Sequence, residues 1–242
     1  NLSDATFNFT EKALIALAMA LLIISGEIDL SVAAIVALAS TAMGYIASIG
    51  GGTGAMVLAG ILTGLACGAF NGLLVTRFKL PSIVVTIGTM SLFRGMSFIV
   101  LGDGVFKGYP ADFAFFGQGY VWSLFSGVRV ARVKFTLSML TGLMSGIASV
   151  MLTSRLGSTR PSIAMGWELE AITMVVLGGV SILGGSGTIP GVVIAGFIMC
   201  FVTFGFGLLN VPGIVMSIFV GLLLILVIAA PIVYRRIKYG RG

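Results

Sequence analysis

The 242-residue chain is 58% hydrophobic and only 9% charged, with a mean hydropathy of +1.15 and 35 glycines. This composition excludes an ordinary water-soluble domain and predicts an all-α polytopic membrane protein, one transmembrane domain over residues 1–242. The net charge of +6 is concentrated at a few joints between apolar runs, which indicates membrane topology and no nucleic-acid partner, and the absence of histidine excludes His-based catalysis and His metal sites.

The apolar runs predict a helical bundle with broken helices. The first run, 13–25, has only thirteen residues and is too short to cross a membrane comfortably. The third run carries glycines at a strict spacing of four, which indicates a seam for close helix packing: Gly60, Gly64, Gly68 and Gly72. The other predicted spans are 30–49, 55–76, 83–101, 133–152, 171–183, 189–208 and 214–233.

Glu27 and Asp29 are the only charges in residues 13–76 and interrupt an otherwise apolar stretch. An acidic side chain at membrane depth costs ~2.5–3.5 kcal/mol and usually faces a cavity, an interface or the bundle interior. Gly26 permits a break in the helix, and we expect Asp29 to cap the helix that starts near Leu30. A purely structural cap is the alternative for Asp29, whereas Glu27 is expected to line a pathway or an interface.

A second glycine-rich break, residues 184–188, lies between two predicted spans in the other half of the chain. It lacks the G-x-x-x-x-G-K-[ST] pattern of a nucleotide-binding loop, so any ATP hydrolysis must come from a partner, and we expect no cofactor. A plain turn is one interpretation. Paired breaks are also typical of transporters built from structural repeats, and that interpretation makes the following residues candidates for a translocation pathway: Glu27, Asp29, Ser31, Gly184, Gly185, Ser186 and Gly187.

The positive-inside rule exposes an inconsistency in the topology. When membrane crossings are counted backward from the cationic tail 234–238, the span 133–152 starts inside the cell. When they are counted forward from Arg77, the loop 103–122 lies outside the cell. No crossing fits between Trp122 and Arg129. We therefore expect residues to be missing near 122–123, and the lack of an initial methionine predicts further residues before residue 1.

The predicted outer loop is rich in aromatic residues, most of which we expect to anchor it at the lipid interface. The rings are Phe106, Tyr109, Phe113, Phe115, Phe116, Tyr120 and Trp122. The charged residues between them are candidates for docking an external partner: Asp103, Lys107 and Asp112.

Four motifs, in order, carry a family resemblance. They read SGEIDLSV (25–32), GAFNGLLV (68–75), LPSIVVTIGTM (80–90) and LGGVSILGGSGT (177–188). Together they resemble the membrane permease subunits of ribose-type sugar ATP-binding-cassette (ABC) importers. Glu27 stands where that family usually has glycine, a variant most similar to rhamnose-importer permeases.

The resemblance implies a bacterial inner-membrane dimer of permeases, homo- or heteromeric, with cytoplasmic ATPases and a periplasmic sugar-binding protein. It also assigns the basic joint 126–134 to the segment that contacts the ATPase, with Ser126, Gly127, Arg129 and Arg132 as candidates; plain topological anchoring is the alternative. Other functions stay open: an ion-coupled secondary transporter, an ABC permease for another small solute such as autoinducer-2, or a membrane scaffold.

Overall fold

A computed structural model of the chain describes residues 2–102, 104–110, 113, 130–182 and 184–239, with backbone only for 2–9, 130–132 and 231–239. These ranges form an all-α bundle, which confirms the predicted fold class; their one β-type pairing is an isolated bridge between Phe106 and Thr159. The helices are α1 (Leu2–Ile24), α2 (Val32–Ser48), α3 (Thr53–Arg77), α4 (Ser82–Leu101), α5 (Val130–Leu156), α6 (Trp167–Leu177), α7 (Ile189–Leu208) and α8 (Gly213–Tyr239).

Five helices in the described ranges are long and apolar enough to cross a membrane: α3, α4, α5, α7 and α8. The 17-residue α2 is a shorter apolar helix. Large apolar side chains on several of these helices are exposed in the single chain, as expected for surfaces that face lipid or another subunit. The chain is a multi-pass membrane protein.

The first helix is longer than the sequence predicts. α1 extends over 23 residues from Leu2 to Ile24, so the expectation of a short helix over 13–25 was wrong. Its polar part is stabilised by two ion pairs to other helices, Glu11 with Arg155 at 2.9 Å and Lys12 with Glu170 at 2.5 Å. Interhelical partners of this kind compensate for the cost of placing charges in a buried helix.

The sixth helix is shorter than predicted. It ends at Leu177, six residues before the predicted end at 183, because Gly178 and Gly179 terminate it and Gly179 has a left-handed φ of +85°. A Cβ on Gly178 would lie 2.6 Å from the Cα of Val192, so glycine also permits the close approach of α7. The second break therefore covers residues 178–188 rather than 184–188 alone.

The glycine seam of α3 is confirmed as a packing surface. α3 and α5 form the most extensive helix pair of the bundle. A Cβ added to Gly64 would lie 2.7 Å from the Cα of Gly146, and one added to Gly142 would lie 2.6 Å from the Cα of Gly68. The two backbones are in direct contact, as expected for small residues at a membrane helix interface.

The main apolar core packs against the helix ends that flank the first break. Buried side chains of α1, α2, α5, α6, α7 and α8 form one cluster. Its members near the break include Met19, Ile23, Val32, Val36 and Val175.

The basic residues Arg77, Lys79 and Lys134 share one end of the bundle, where α3 ends and α4 and α5 begin. The positive-inside rule predicts that this end faces the cytoplasm. We call it the inner end and the opposite one the outer end.

Candidate functional site

The first break separates α1 from α2 at the inner end. Gly26 adopts a left-handed φ of +86°, and its N–H donates to the carbonyl of Ile23 at 2.9 Å, which closes the last turn of α1. The backbone N–H of Glu27 donates to the carbonyl of Leu22 at 3.1 Å. The predicted helix break at Gly26 is confirmed.

The carboxylate of Asp29 lies in a buried polar cluster at the start of α2. Its Oδ1 accepts the backbone N–H of Ser31 at 2.8 Å and the Ser31 hydroxyl at 2.6 Å. The N-cap of α2 is Ser31, so the prediction that Asp29 caps a helix beginning near Leu30 was wrong by two residues. The chemistry is nevertheless the expected one, because a carboxylate accepts a backbone N–H at the positive end of a helix.

Asn71 of α3 completes this cluster, and the sequence analysis missed it. Its Nδ2 donates to Ser31 Oγ at 2.8 Å and lies 3.5 Å from Asp29 Oδ2. All three side chains are at most 1% exposed. The Oδ1 of Asn71 is buried without a hydrogen-bond partner, so the cluster can accept one more donor. A lone amide inside a glycine-rich apolar helix was the available signal.

Glu27 forms an ion pair with Lys134, 2.5 Å from Oε1 to Nζ. The side chains are 14% and 30% exposed. They line an open cavity of about 530 Å³ together with Thr76, Lys79 and Pro81. The acidic side chain that the sequence places in an apolar stretch is therefore paired with a cation of the basic joint 126–134.

The break is also held by the first turn of α4. The backbone N–H of Ile28 donates to Ser82 Oγ at 3.2 Å. The Thr86 hydroxyl donates within α4 to the carbonyl of Ser82 at 2.8 Å and lies 3.4 Å from the carbonyl of Ile28. Ser82 and Thr86 belong to the motif 80–90. This motif therefore supplies, through Ser82, a partner for a backbone N–H that the helix break leaves without an intrahelical bond.

The second break contacts the first directly. The backbone N–H of Gly185 donates to the carbonyl of Ile24 at 2.9 Å, and a Cβ on Gly184 would lie 2.8 Å from the Cα of Gly26. The carbonyl of Ser186 accepts the N–H of Ser181 at 2.9 Å, which closes the second break on itself. The breaks lie in opposite halves of the sequence, yet they form one backbone junction.

This junction leaves several groups on the surface of the single chain. Gly185, Ser186 and Gly187 are exposed, whereas Asp29 and Ser31 are buried beside them in the first break. Non-helical backbone in a membrane protein needs hydrogen-bond partners from protein or water. The exposed part of the junction is therefore suited to a second subunit or to an aqueous pathway.

Several predicted residues lie outside the part of the chain that the structure describes. They are Asp103, Asp112, Ser126, Gly127 and Arg129. The position of the suspected gap, near 122–123, also lies outside the described residues. Arg132 belongs to α5 and only its backbone is described. Lys107 is exposed in the loop that pairs with Thr159.

Three of the seven loop rings pack on protein. The other four, Phe115, Phe116, Tyr120 and Trp122, lie outside the described residues, so the expectation that most of the rings anchor the loop in lipid stays a prediction. Phe113 is 1% exposed and joins a core cluster with Met43 and Val150. Tyr109 stacks on it at 5.3 Å and meets Phe106 edge to face. Burial raises the pKa of the Tyr109 hydroxyl well above its usual value. Aromatic density alone does not distinguish a lipid anchor from a core contact.

The described residues contain five candidate membrane spans and a junction of two helix breaks, an arrangement typical of polytopic membrane transport proteins. Comparison with known sequences gives the family. The sequence pattern of one protein family, described as "Branched-chain amino acid transport system / permease component", matches residues 1–126 and 117–228 of this chain. The chain belongs to this family.

The relatives are consistent with a ribose-type importer permease. The chain is 34% identical over 250 residues to the L-arabinose ABC transporter permease protein AraH of Azospirillum brasilense, covering 88% of this chain and 74% of the relative. It is 31% identical over 257 residues to the ribose import permease protein RbsC of Bacillus subtilis strain 168, covering 90% and 80%. It is 29% identical over 237 residues to the autoinducer 2 import system permease protein LsrC of Yersinia pseudotuberculosis, covering 82% and 68%.

No solved structure matches the chain. The family and the spans together identify a multi-pass inner-membrane permease of the ABC importer class. The family description and the relatives are those of transport permease components.

Proposed function

We propose that this chain forms, with a second permease copy, the pathway by which a monosaccharide, rhamnose or a related sugar, enters the cell. The observation that carries the proposal is the junction of the two breaks, where the N–H of Gly185 donates to the carbonyl of Ile24. Contact between broken helices from the two halves of a chain is the arrangement expected at a transporter's solute path.

The chemistry of the junction favours an uncharged, polar solute. The exposed residues 185–188 offer backbone groups and two hydroxyls, and no ionisable side chain. The charge of Glu27 is balanced by Lys134. A hydroxyl-rich molecule can exchange hydrogen bonds with such groups without bringing a charge into a low-dielectric region, which would be costly.

The relatives support solutes of this chemical class, since their names specify arabinose, ribose and autoinducer 2. Rhamnose rests on Glu27 in the first motif. Autoinducer-2 is the alternative solute within the same class of importer.

The proposed partners are a cytoplasmic ATPase and a periplasmic sugar-binding protein. The basic joint 126–134 is the proposed contact with the ATPase, through Ser126, Gly127, Arg129 and Arg132. Asp103, Lys107 and Asp112 are the proposed contacts with the binding protein, since they belong to the loop predicted to lie outside.

The test begins with purification of the tagged permease and identification of the subunits that accompany it. The purified complex in liposomes is then assayed for ATP-dependent uptake of rhamnose, ribose, arabinose and autoinducer-2. Uptake of a sugar with an ATPase and a binding protein present supports the proposal. Uptake of autoinducer-2 alone would assign the alternative solute, and uptake driven by a proton or sodium gradient without an ATPase would contradict the proposal.

A matched pair of glycine variants tests the role of the junction. Gly185 and Gly50 have nearly equal left-handed φ values, +79° and +78°, both are exposed, and neither has an atom within 4 Å of an added Cβ. Alanine therefore imposes the same backbone strain at both sites. We expect Gly185→Ala to reduce uptake and Gly50→Ala to leave it unchanged. Equal uptake by the two variants would remove the junction from the mechanism.

A further inference from the structure

Two ion pairs, one near each end of the bundle, join the first helix and its break to α5. At the outer end Glu11 pairs with Arg155 at 2.9 Å, and at the inner end Glu27 pairs with Lys134 at 2.5 Å. The outer pair includes a carboxylate that is only 1% exposed. The inner pair is partly open to water.

These exposures give the two pairs different physical properties. Separating the outer pair would leave an uncompensated charge in a buried site, which is strongly unfavourable. Separating the inner pair lets water from the adjoining cavity solvate both charges. The inner pair can therefore break and reform during a conformational cycle, whereas the outer pair holds α1 and α5 together.

Lys134 connects the packed helix α5 with the break between α1 and α2. It is the fifth residue of α5, and α5 is fixed to α3 along the glycine seam, where Gly72 also meets Phe135. Its partner Glu27 follows the exposed, left-handed Gly26, which has no atom within 4 Å of an added Cβ. A displacement of the inner end of α5 would reach the break through this charge contact.

We propose that Lys134 is a positioning residue that acts through Glu27. Its ammonium group sets the position of the α1–α2 break against Gly184 and Gly185 and transmits movement of the inner end of α5 to the junction. This inference rests on the proposed function, because it assigns the pair a part in coupling ATP hydrolysis to solute movement. A ligand or partner can shift a conformational equilibrium only through a contact that differs between the two states, and this ion pair would serve as that contact.

The first experiment measures uptake and ATP hydrolysis together in the reconstituted importer. We expect Lys134→Gln and Glu27→Gln each to lower the solute moved per ATP about tenfold, within the usual range of coupling between two sites. Lys134→Arg should retain most of the coupling, and the charge exchange Glu27→Lys with Lys134→Glu should recover part of it. Lys79→Gln is the matched control, since it removes a lysine from the same cavity and leaves the Glu27 pair intact.

A second readout does not depend on transport. Ile28→Cys places a thiol inside the break and keeps the backbone N–H that donates to Ser82. We expect Lys134→Gln to accelerate labelling of this thiol by a membrane-impermeant maleimide applied to the inner side, and Lys79→Gln to leave the labelling rate unchanged. Because this rate is measured without ATP or solute, it tests the ion pair even if the importer shows no ATP-driven uptake.

The outcomes separate the inference from the proposed function. Lower solute per ATP with faster labelling in Lys134→Gln alone supports the positioning role. Equal behaviour of Lys134→Gln and Lys79→Gln in both assays would overturn it, as would full coupling in Glu27→Gln. If wild-type protein shows no ATP-driven uptake, the proposed function fails, and an unchanged labelling rate would then overturn the positioning of the break as well.

Discussion

Substitution of Gly64 by alanine tests the close backbone contact between α3 and α5. The new Cβ would lie 2.4 Å from the carbonyl oxygen of Gly142 and 2.7 Å from the Cα of Gly146. Ordinary van der Waals contact begins near 3.4 Å, so the helices must separate locally by about 1.0 Å. Overpacking that forces backbone shifts costs about 1–3 kcal/mol. At about 2–4 °C per kcal/mol for a chain of this size, we expect the unfolding midpoint in detergent to fall by about 2–12 °C.

Gly95 of α4 is the matched control. It also lies inside a helix, but no atom is within 4 Å of its added Cβ. Gly95→Ala should keep or raise the unfolding midpoint, since alanine exceeds glycine in helix propensity by about 1 kcal/mol in water. Equal midpoints for Gly64→Ala and Gly95→Ala would refute the close α3–α5 contact.

Three further predictions concern single side chains. Asp29→Asn should keep the stability of the protein because the amide oxygen can still accept both hydrogen bonds from Ser31. Asp29→Ala should lower the free energy of unfolding by about 1–3 kcal/mol. Denaturant titration measures both variants, and equal losses would contradict the hydrogen-bonded cluster. Phe113→Ala should lower the free energy of unfolding by about 3–5 kcal/mol because the ring is 1% exposed. In the same denaturant titration, a loss below about 1 kcal/mol would place the ring at the surface. Burial raises the pKa of the Glu168 carboxyl above its usual 4.5, so the folded state binds this proton more tightly than the unfolded state does. The free energy of unfolding should therefore fall as pH rises through the folded-state pKa. Glu168→Gln should flatten that slope in a pH series of unfolding midpoints, and an unchanged slope would contradict the prediction.

Local sequence patterns predicted the spans and the packing seam well. The run 189–208 coincides with α7, and the four-residue glycine spacing of α3 identified the face that meets α5. Both features are properties of one helix: hydropathy sets where it crosses, and small residues set where another backbone can approach. Gly26 likewise predicted a break because left-handed backbone is a local property of glycine.

Features that depend on a distant partner could not be predicted. Lys134 is 107 residues from Glu27, and nothing in the spacing of either pairs them. Asn71 was missed for the same reason, since its role comes from the approach of α3 to the start of α2. The length of α1 depends on ion pairs to α5 and α6, which tertiary structure supplies and helix propensity does not.

The most direct test of the account is the energy source for uptake in liposomes that contain the purified permease with its partner subunits. The account predicts that internalised solute accumulates only with ATP, an active ATPase and loaded binding protein, and that dissipating proton and sodium gradients has no effect. Accumulation by the permease alone, driven by either gradient, would contradict it.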